Sequence, residues 1–300
     1  MNPGELLSCL GSSSCVVTQL ASGLIIGLLL FLVAAGLTLI FGVLGVINFT
    51  HGAFYMMGAY FAYTAYGLSN SYAVAVLAGG TGVALLGLVF ERFFMRRVYG
   101  SNVLMQLLVC YAFILIFDDL VKIVWGPEYK SMGMPDMFRV PPLFLGGGVV
   151  PVFYLFLILV SLVIGAALWF VIARTRAGKV VRAAAANPTM LSALGTNTGL
   201  VYAGVFALGA GLAGLAGALA APVRSISSGM GFSILIESFI VTVIGGMGSI
   251  AGALIAALLI GFTRAFGAIG FPLFVDGMMF AIMALVLIVK PSGLLGRETA

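Results

Sequence analysis

The residues able to do chemistry are few, and they sit inside apolar runs. Asn48, Thr50 and His51 interrupt Gly42-Val-Leu-Gly-Val-Ile-Asn-Phe-Thr-His-Gly-Ala-Phe-Tyr-Met-Met-Gly58, a stretch otherwise apolar and punctuated by glycine. Facing lipid, an amide, a hydroxyl and an imidazole would be costly, so they belong against a partner helix, in a cavity or at the membrane surface. The glycines on both sides allow a helix to break. Irregular backbone at membrane depth is stable only where protein buries it or water reaches it. The stretch therefore reads either as a discontinuous helix whose freed backbone groups line a solute path or as a plain turn between two helices.

A second set surrounds Glu237, the strongest intramembrane ionisable candidate, which is followed by Gly245, Gly246, Gly248 and Gly252. Glu237 either lines a path, pairs with Arg264 or Arg224, or anchors a span at the interface. Asn48, Thr50, His51, Glu237, Gly245, Gly246 and Gly248 are thus the candidates for a substrate path. Asp118 and Lys122 stand at the spacing of a helical ion pair near the end of their run, the usual place for snorkelling anchors. Enzymatic patterns fail. His51 is the only histidine and makes no metal site. There is no phosphate-cradling glycine loop and no serine, histidine and acid set. The sequence calls for no catalytic residue, no cofactor, no metal and no nucleic acid; if ATP supplies energy, another subunit binds it.

The elements that must position these residues are helices. Of 300 residues, 62% are hydrophobic and 8% charged, against about 25% charged in soluble domains; mean hydropathy is +1.23. At about 20 apolar residues per crossing, the chain supplies spans and little else. The runs lie near 18–42, 52–69, 72–90, 102–124, 150–173, 199–221, 234–248, 250–269 and 272–289. They are continuous, which excludes the alternating segments of a β-barrel. The expected fold is an all-α polytopic membrane protein, one transmembrane domain over 1–300 with about eight or nine transmembrane helices, some broken or re-entrant; the short run at 234–248 is the foremost candidate for a partial crossing. The 41 glycines suit close helix packing, above all the small-residue face at Gly209, Gly211, Gly214 and Gly217.

Arg92, Arg96 and Arg97, then Arg174, Arg176, Lys179 and Arg182, then Lys290 and Arg297 mark the cytoplasmic side. Counting back from a cytoplasmic carboxyl end puts the amino end outside. That end, Met1 to Gln19, has no lysine or arginine, so the first run is expected to be a retained helix. A bond between Cys9 and Cys15 would need an oxidising compartment. The outward loop at about 125–148 is rich in proline and glycine and forms an irregular lobe. The inward loop at about 174–198 differs: Ala183 to Ala186 favour helix, Asn187 and Pro188 end one helix and start another, and Gly195 closes it. A membrane protein driven by a soluble motor needs such a handle, and Arg182, Ala185, Asn187, Pro188, Leu194 and Gly195 are its candidates.

The segment Ala35-Gly-Leu-Thr-Leu-Ile-Phe-Gly-Val-Leu-Gly-Val-Ile-Asn-Phe-Thr-His-Gly-Ala-Phe-Tyr-Met-Met-Gly-Ala-Tyr60 resembles the signature of branched-chain amino-acid ABC transporter permeases of the LivH type. Arg182 to Asn197, Glu237 to Ala253 and Lys290-Pro-Ser-Gly-Leu-Leu-Gly296 are similar to the same family in order. The resemblance implies a multi-pass permease of a bacterial inner (plasma) membrane importer that moves amino acids, most often branched-chain, by ATP-driven alternating access. It implies a second, LivM-like permease, two ABC ATPase subunits, an extracytoplasmic solute-binding protein, and a coupling helix within 182–197. Relatives with this signature also handle urea or short amides; a channel or ion-coupled carrier without an ATPase is the alternative class. Ala53 departs from the pattern, since many relatives carry a glutamate after the His-Gly pair, so no role for an acid carries over to it.

Overall fold

The computed structural model describes residues 3–296; Arg297, expected in the third basic cluster, lies outside them. Two amino-terminal helices, α1 (Pro3–Leu10) and α2 (Ser13–Leu44), are joined by a short turn. The Cys9–Cys15 disulfide ties them. Helix α2 ends where Gly45 turns left-handed, at φ 67°, and returns its N–H to the Phe41 carbonyl. Then come α3 (His51–Ser69) and α4 (Tyr72–Phe90), the latter running through a π-helical turn, Glu91–Met95, to Val98. Helix α5 (Val103–Trp125) starts on Asn102, whose side chain accepts from Met105 N–H at 3.0 Å.

The lobe that follows carries a hairpin of β1 (Leu143–Leu145) and β2 (Gly148–Val150), paired antiparallel with Leu143 opposite Val150. The second half holds α6 (Val152–Arg174), the short α7 (Arg176–Ala186) and α8 (Pro188–Ala193), α9 (Thr198–Ala220), α10 (Met230–Gly245), α11 (Ile250–Gly270) and α12 (Val275–Val289). Among the described residues nine apolar helices match the nine expected runs. Six, counting α4 to Val98 and α12 from Pro272, are long and apolar enough to cross a membrane. Helices α3, α5 and α10 complete the set, and α10 is the short one.

Helix α2 is the axis of the bundle. Its second half is buried on nearly every face, packed by α11, α9, α10 and α3. The small-residue face of α9 does what its spacing predicts. A methyl at Gly58 of α3 would overlap the Gly214 carbonyl of α9, so these two backbones touch without side chains between them. Around this core, α4, α5, α6 and α12 present exposed aliphatic residues such as Leu85, Leu108, Leu159 and Ile288, the surface a lipid contact requires.

The bundle has two unlike ends. Arg92, Arg96 and Arg97, the 174–198 segment and Lys290 gather with the last residues of α2 and α10 at one, the basic end. At the other, α1 packs by Leu6 on Gly270, and the start of α2 packs by Ser14 and Val17 on Gly148 of the hairpin.

Candidate functional site

The polar break between α2 and α3 is re-entrant. His51 Nε2 lies 3.0 Å from the Val33 carbonyl oxygen, and since that oxygen only accepts, Nε2 carries the proton. Val33 is about three turns before the end of α2, roughly 16 Å along its axis. Residues 45–50 are irregular, with a turn at 49–50, and return through that depth. Asn48 Oδ1 accepts from Thr50 N–H at 3.1 Å, and the Thr50 hydroxyl donates to the Cys110 carbonyl of α5 at 3.2 Å. Asn48, Thr50 and His51 are wholly buried, so protein satisfies this backbone, and the break is neither a surface turn nor one interrupted span: it is a re-entrant connection from which α3 starts at depth.

Helix α10 begins at the same level. A methyl at Gly231 would stand 2.8 Å from the Gly52 carbonyl oxygen. The first turns of α3 and α10 therefore meet backbone to backbone inside the bundle, α3 running toward the hairpin end and α10 toward the basic end. These positive helix ends are covered by one another and by α2. No described cavity is lined by Asn48, Thr50 or His51.

A cavity of about 260 Å³ opens one turn beyond His51, between α2, α3, α6 and α10. Ile25, Ile26, Leu29 and Ile234 give it aliphatic walls; Arg224 and Glu237 are its charged groups, with Ser22, Tyr55 and Tyr154 beside them. Arg264 Nη1 donates to Glu237 Oε1, which settles the pairing in favour of Arg264. Glu237 Oε2 has no hydrogen-bond partner among the described residues. Arg224, Tyr55 and Glu237 face one another across this cavity's lining. A second cavity of about 440 Å³ shares Tyr55 and Arg224 and leads past Ser225, Ser227 and Ser228 toward the hairpin end. Neither Tyr55 nor Arg224 was a path candidate from sequence: a tyrosine in an aromatic-rich run and an arginine in a connection carry no signal until the fold brings them together. Arg224 entered there only as a possible partner of Glu237.

At the basic end a cavity of about 500 Å³ lies between the last turns of α2, the loop after α10 and helix α7, with Gly42, Gly248, Arg182 and Ala185 in its lining. Gly245 and Gly246 are packed. A methyl on Gly245 would stand 2.5 Å from the Gly252 carbonyl carbon, and the 290–296 segment docks on α10 by Leu294 N–H to the Ile244 carbonyl at 2.8 Å. Arg182 donates to the Ile172 carbonyl and so caps α6. The Asn187 side chain caps α8, accepting from Met190 N–H at 2.9 Å with Pro188 in the first turn, and Gly195 closes it at φ 82°. Ala184 and Leu191 are buried anchors, whereas Ala185, Met190 and Leu194 are exposed. The seven path candidates thus form no single lining. Glu237 lies at one cavity, Gly248 at another, and the other five in packed backbone.

Residues 19–287 match the family described as the permease component of the branched-chain amino acid transport system. The chain belongs to this family. It is 32% identical over 93% of its length to the high-affinity branched-chain amino acid transport permease protein BraD of Pseudomonas aeruginosa, covering 95% of that protein. It is 30% identical, with the same coverage, to LivH of Escherichia coli strain K12. Its fold is similar to that of PsaBC from Streptococcus pneumoniae, solved with a Fab, with a TM-score of 0.51 at 12% identity over 92% of this chain and 91% of that one. As a permease component it is a multi-pass membrane protein and not itself an enzyme, which accounts for the failed search for catalytic sets.

Proposed function

We propose that this permease component forms, with a second permease, the inner-membrane path of an ABC importer for aliphatic amino acids. Two ATPase subunits sit below it and a solute-binding protein above. The substrate class rests on relatives named for branched-chain amino acids, which match along nearly the whole chain. The basic end faces the cytoplasm, as its arginines and lysines favour, and the disulfide-bonded end faces the oxidising side.

The observation that carries the mechanism is the α7–α8 element. Its outer face offers Met190 and Leu194, 63% and 75% exposed, apolar side chains on a capped helix with nothing among the described residues to cover them. Its inner face lines the same cavity as Gly42 and Gly248, beside the ends of α2 and α10. An ATPase groove closing on the outer face moves the inner face, and the inner face bears on the helix ends that close the path. Two states with different preferences for motor and binding protein are what alternating access requires.

In the assembled transporter, Leu194→Glu or Ala185→Glu should abolish solute-stimulated ATP hydrolysis while the chain still inserts. Hydrolysis that stays at the wild-type rate in both variants sinks the assignment.

A further inference from the structure

We infer that the cavity between Arg224 and Glu237 is a binding site for a zwitterionic aliphatic amino acid within the permease itself. This deepens the amino-acid reading above and rests on it. The argument is one of chemical fit. The cavity's about 260 Å³ lies just below the roughly 300–1,000 Å³ of small-molecule sites, so it suits a single amino acid and no peptide. Its two charged groups have opposite sign and line the same cavity. The Arg224 guanidinium lines the cavity beside Tyr55 and has no ion pair with an acid among the described residues, so it is free to take a carboxylate.

Glu237 is 7% exposed and spends one carboxylate oxygen on Arg264. The other is buried and unpartnered, an arrangement that is costly unless a donor arrives. The ammonium of an amino acid is such a donor, and the bond it makes is charge-assisted. Between the two polar ends, Ile25, Ile26, Leu29 and Ile234 offer an aliphatic wall for the side chain. Arg224 and Tyr55 also line the serine-rich cavity toward the hairpin end, so the carboxylate's partner stands where a solute enters. Urea or a short amide has neither charge to give, so this site discriminates against both. Glu237, Arg224 and Tyr55 come from α10, its preceding connection and α3, and only the meeting of Gly52 with Gly231 places them together.

The test uses the assembled transporter in nanodiscs, with a Ser22→Cys reporter in the cavity wall and the rate of maleimide attachment to this chain as the readout. Cys9 and Cys15 are bonded and Cys110 is buried, so the reporter is the reactive thiol among the described residues. Leucine at about ten times its Kd should slow attachment about tenfold, because the unoccupied fraction falls as 1/(1 + L/Kd), with L the free leucine concentration. Leucinol, which lacks the carboxylate, and 4-methylpentanoate, which lacks the ammonium, should not. Arg224→Gln and Glu237→Gln should each abolish the protection, read as the ratio of rates with and without leucine in the same variant, while co-purification with the partner subunits shows that they are folded. Ile26→Cys serves as reporter if Ser22→Cys does not insert. Equal slowing by the two analogues, no slowing by leucine, or slowing that survives both variants overturns the site. Leucine uptake by the same preparation is read in parallel: uptake without protection overturns this site alone, whereas absence of uptake of any amino acid overturns the functional reading as well.

Discussion

His51, the first residue of α3, is fastened by a 3.0 Å hydrogen bond to the Val33 carbonyl three turns inside α2, the helix that precedes it. That bond sets how far the chain re-enters the bundle, and no other side-chain bond of His51 supports it, since Nδ1 is buried without a partner. His51→Leu keeps an apolar shape and removes the donor. It should cost about 1–3 kcal/mol, the range for losing a buried hydrogen bond, and lower the melting temperature of the purified chain. His51→Gln, which keeps a donor on a flexible stem, should fall between the two. Melting temperatures indistinguishable from wild type would mean that the bond does not hold the break in place.

Gly52 and Gly204 test close approach from opposite sides. A methyl at Gly52 would overlap the Gly231 carbonyl, backbone that cannot swing aside, so Gly52→Ala should destabilise by about 1–3 kcal/mol or more. Gly204 lies in α9 with nothing within 4 Å of the place a Cβ would take. Gly204→Ala should therefore stabilise, by up to about 1 kcal/mol, because it removes the cost of glycine in a helix. Opposite shifts in melting temperature are the expected result; two shifts of the same sign would contradict the packing.

How much of this was legible in the sequence depends on the range of the interaction. Helix α4 was expected at 72–90 and is found at Tyr72–Phe90, because an apolar run bounded by Ser71 and Glu91 needs nothing beyond its own residues. The break could be located, since Asn48, Thr50 and His51 are costly in lipid. Its depth could not, because depth is decided by Val33 and by Gly231, a residue far along the chain. The Asn187 cap was legible for the same local reason as α4. Glu237 could be singled out but its partner could not: Arg264 and Arg224 were equal on paper, and the packing of α10 on α11 chose between them. Tyr55, and its meeting with Arg224, lay beyond reach, since the cavity they share is a product of three connected features: the re-entry of 45–50, the late start of α10, and the connection that carries Arg224 back into the bundle.

The Asn187 side chain, accepting from Met190 N–H, separates α7 from α8 and fixes the turn that displays Leu194. Asn187→Ala leaves the first amides of a six-residue helix without a side-chain partner. The expected cost is about 1 kcal/mol, felt locally because so short a helix has little cooperativity. Hydrogen exchange of the 188–193 segment should speed up by about fivefold while α9 is unaffected. Asn187→Asp should restore the slow rate. Fast exchange in the wild-type chain would show that the cap does not order α8.

The Cys9–Cys15 bond and the arginine clusters lie at opposite ends of the bundle, and each implies a side of the membrane by its own physics. A disulfide persists where the surroundings are oxidising; arginine and lysine accumulate in short loops facing the cytoplasm. The packing joins the two, since α1 rests on Gly270 and α2 starts on the hairpin, while Lys179 is exposed beyond the far end of α6. An impermeant maleimide added to intact cells should therefore leave Cys9 and Cys15 unmodified until a reductant is supplied, and then attach to both. A Lys179→Cys variant should stay unlabelled until the membrane is permeabilised. Labelling of Lys179→Cys from outside in intact cells would reverse the orientation, and with it the direction in which the two cavities stand to the motor.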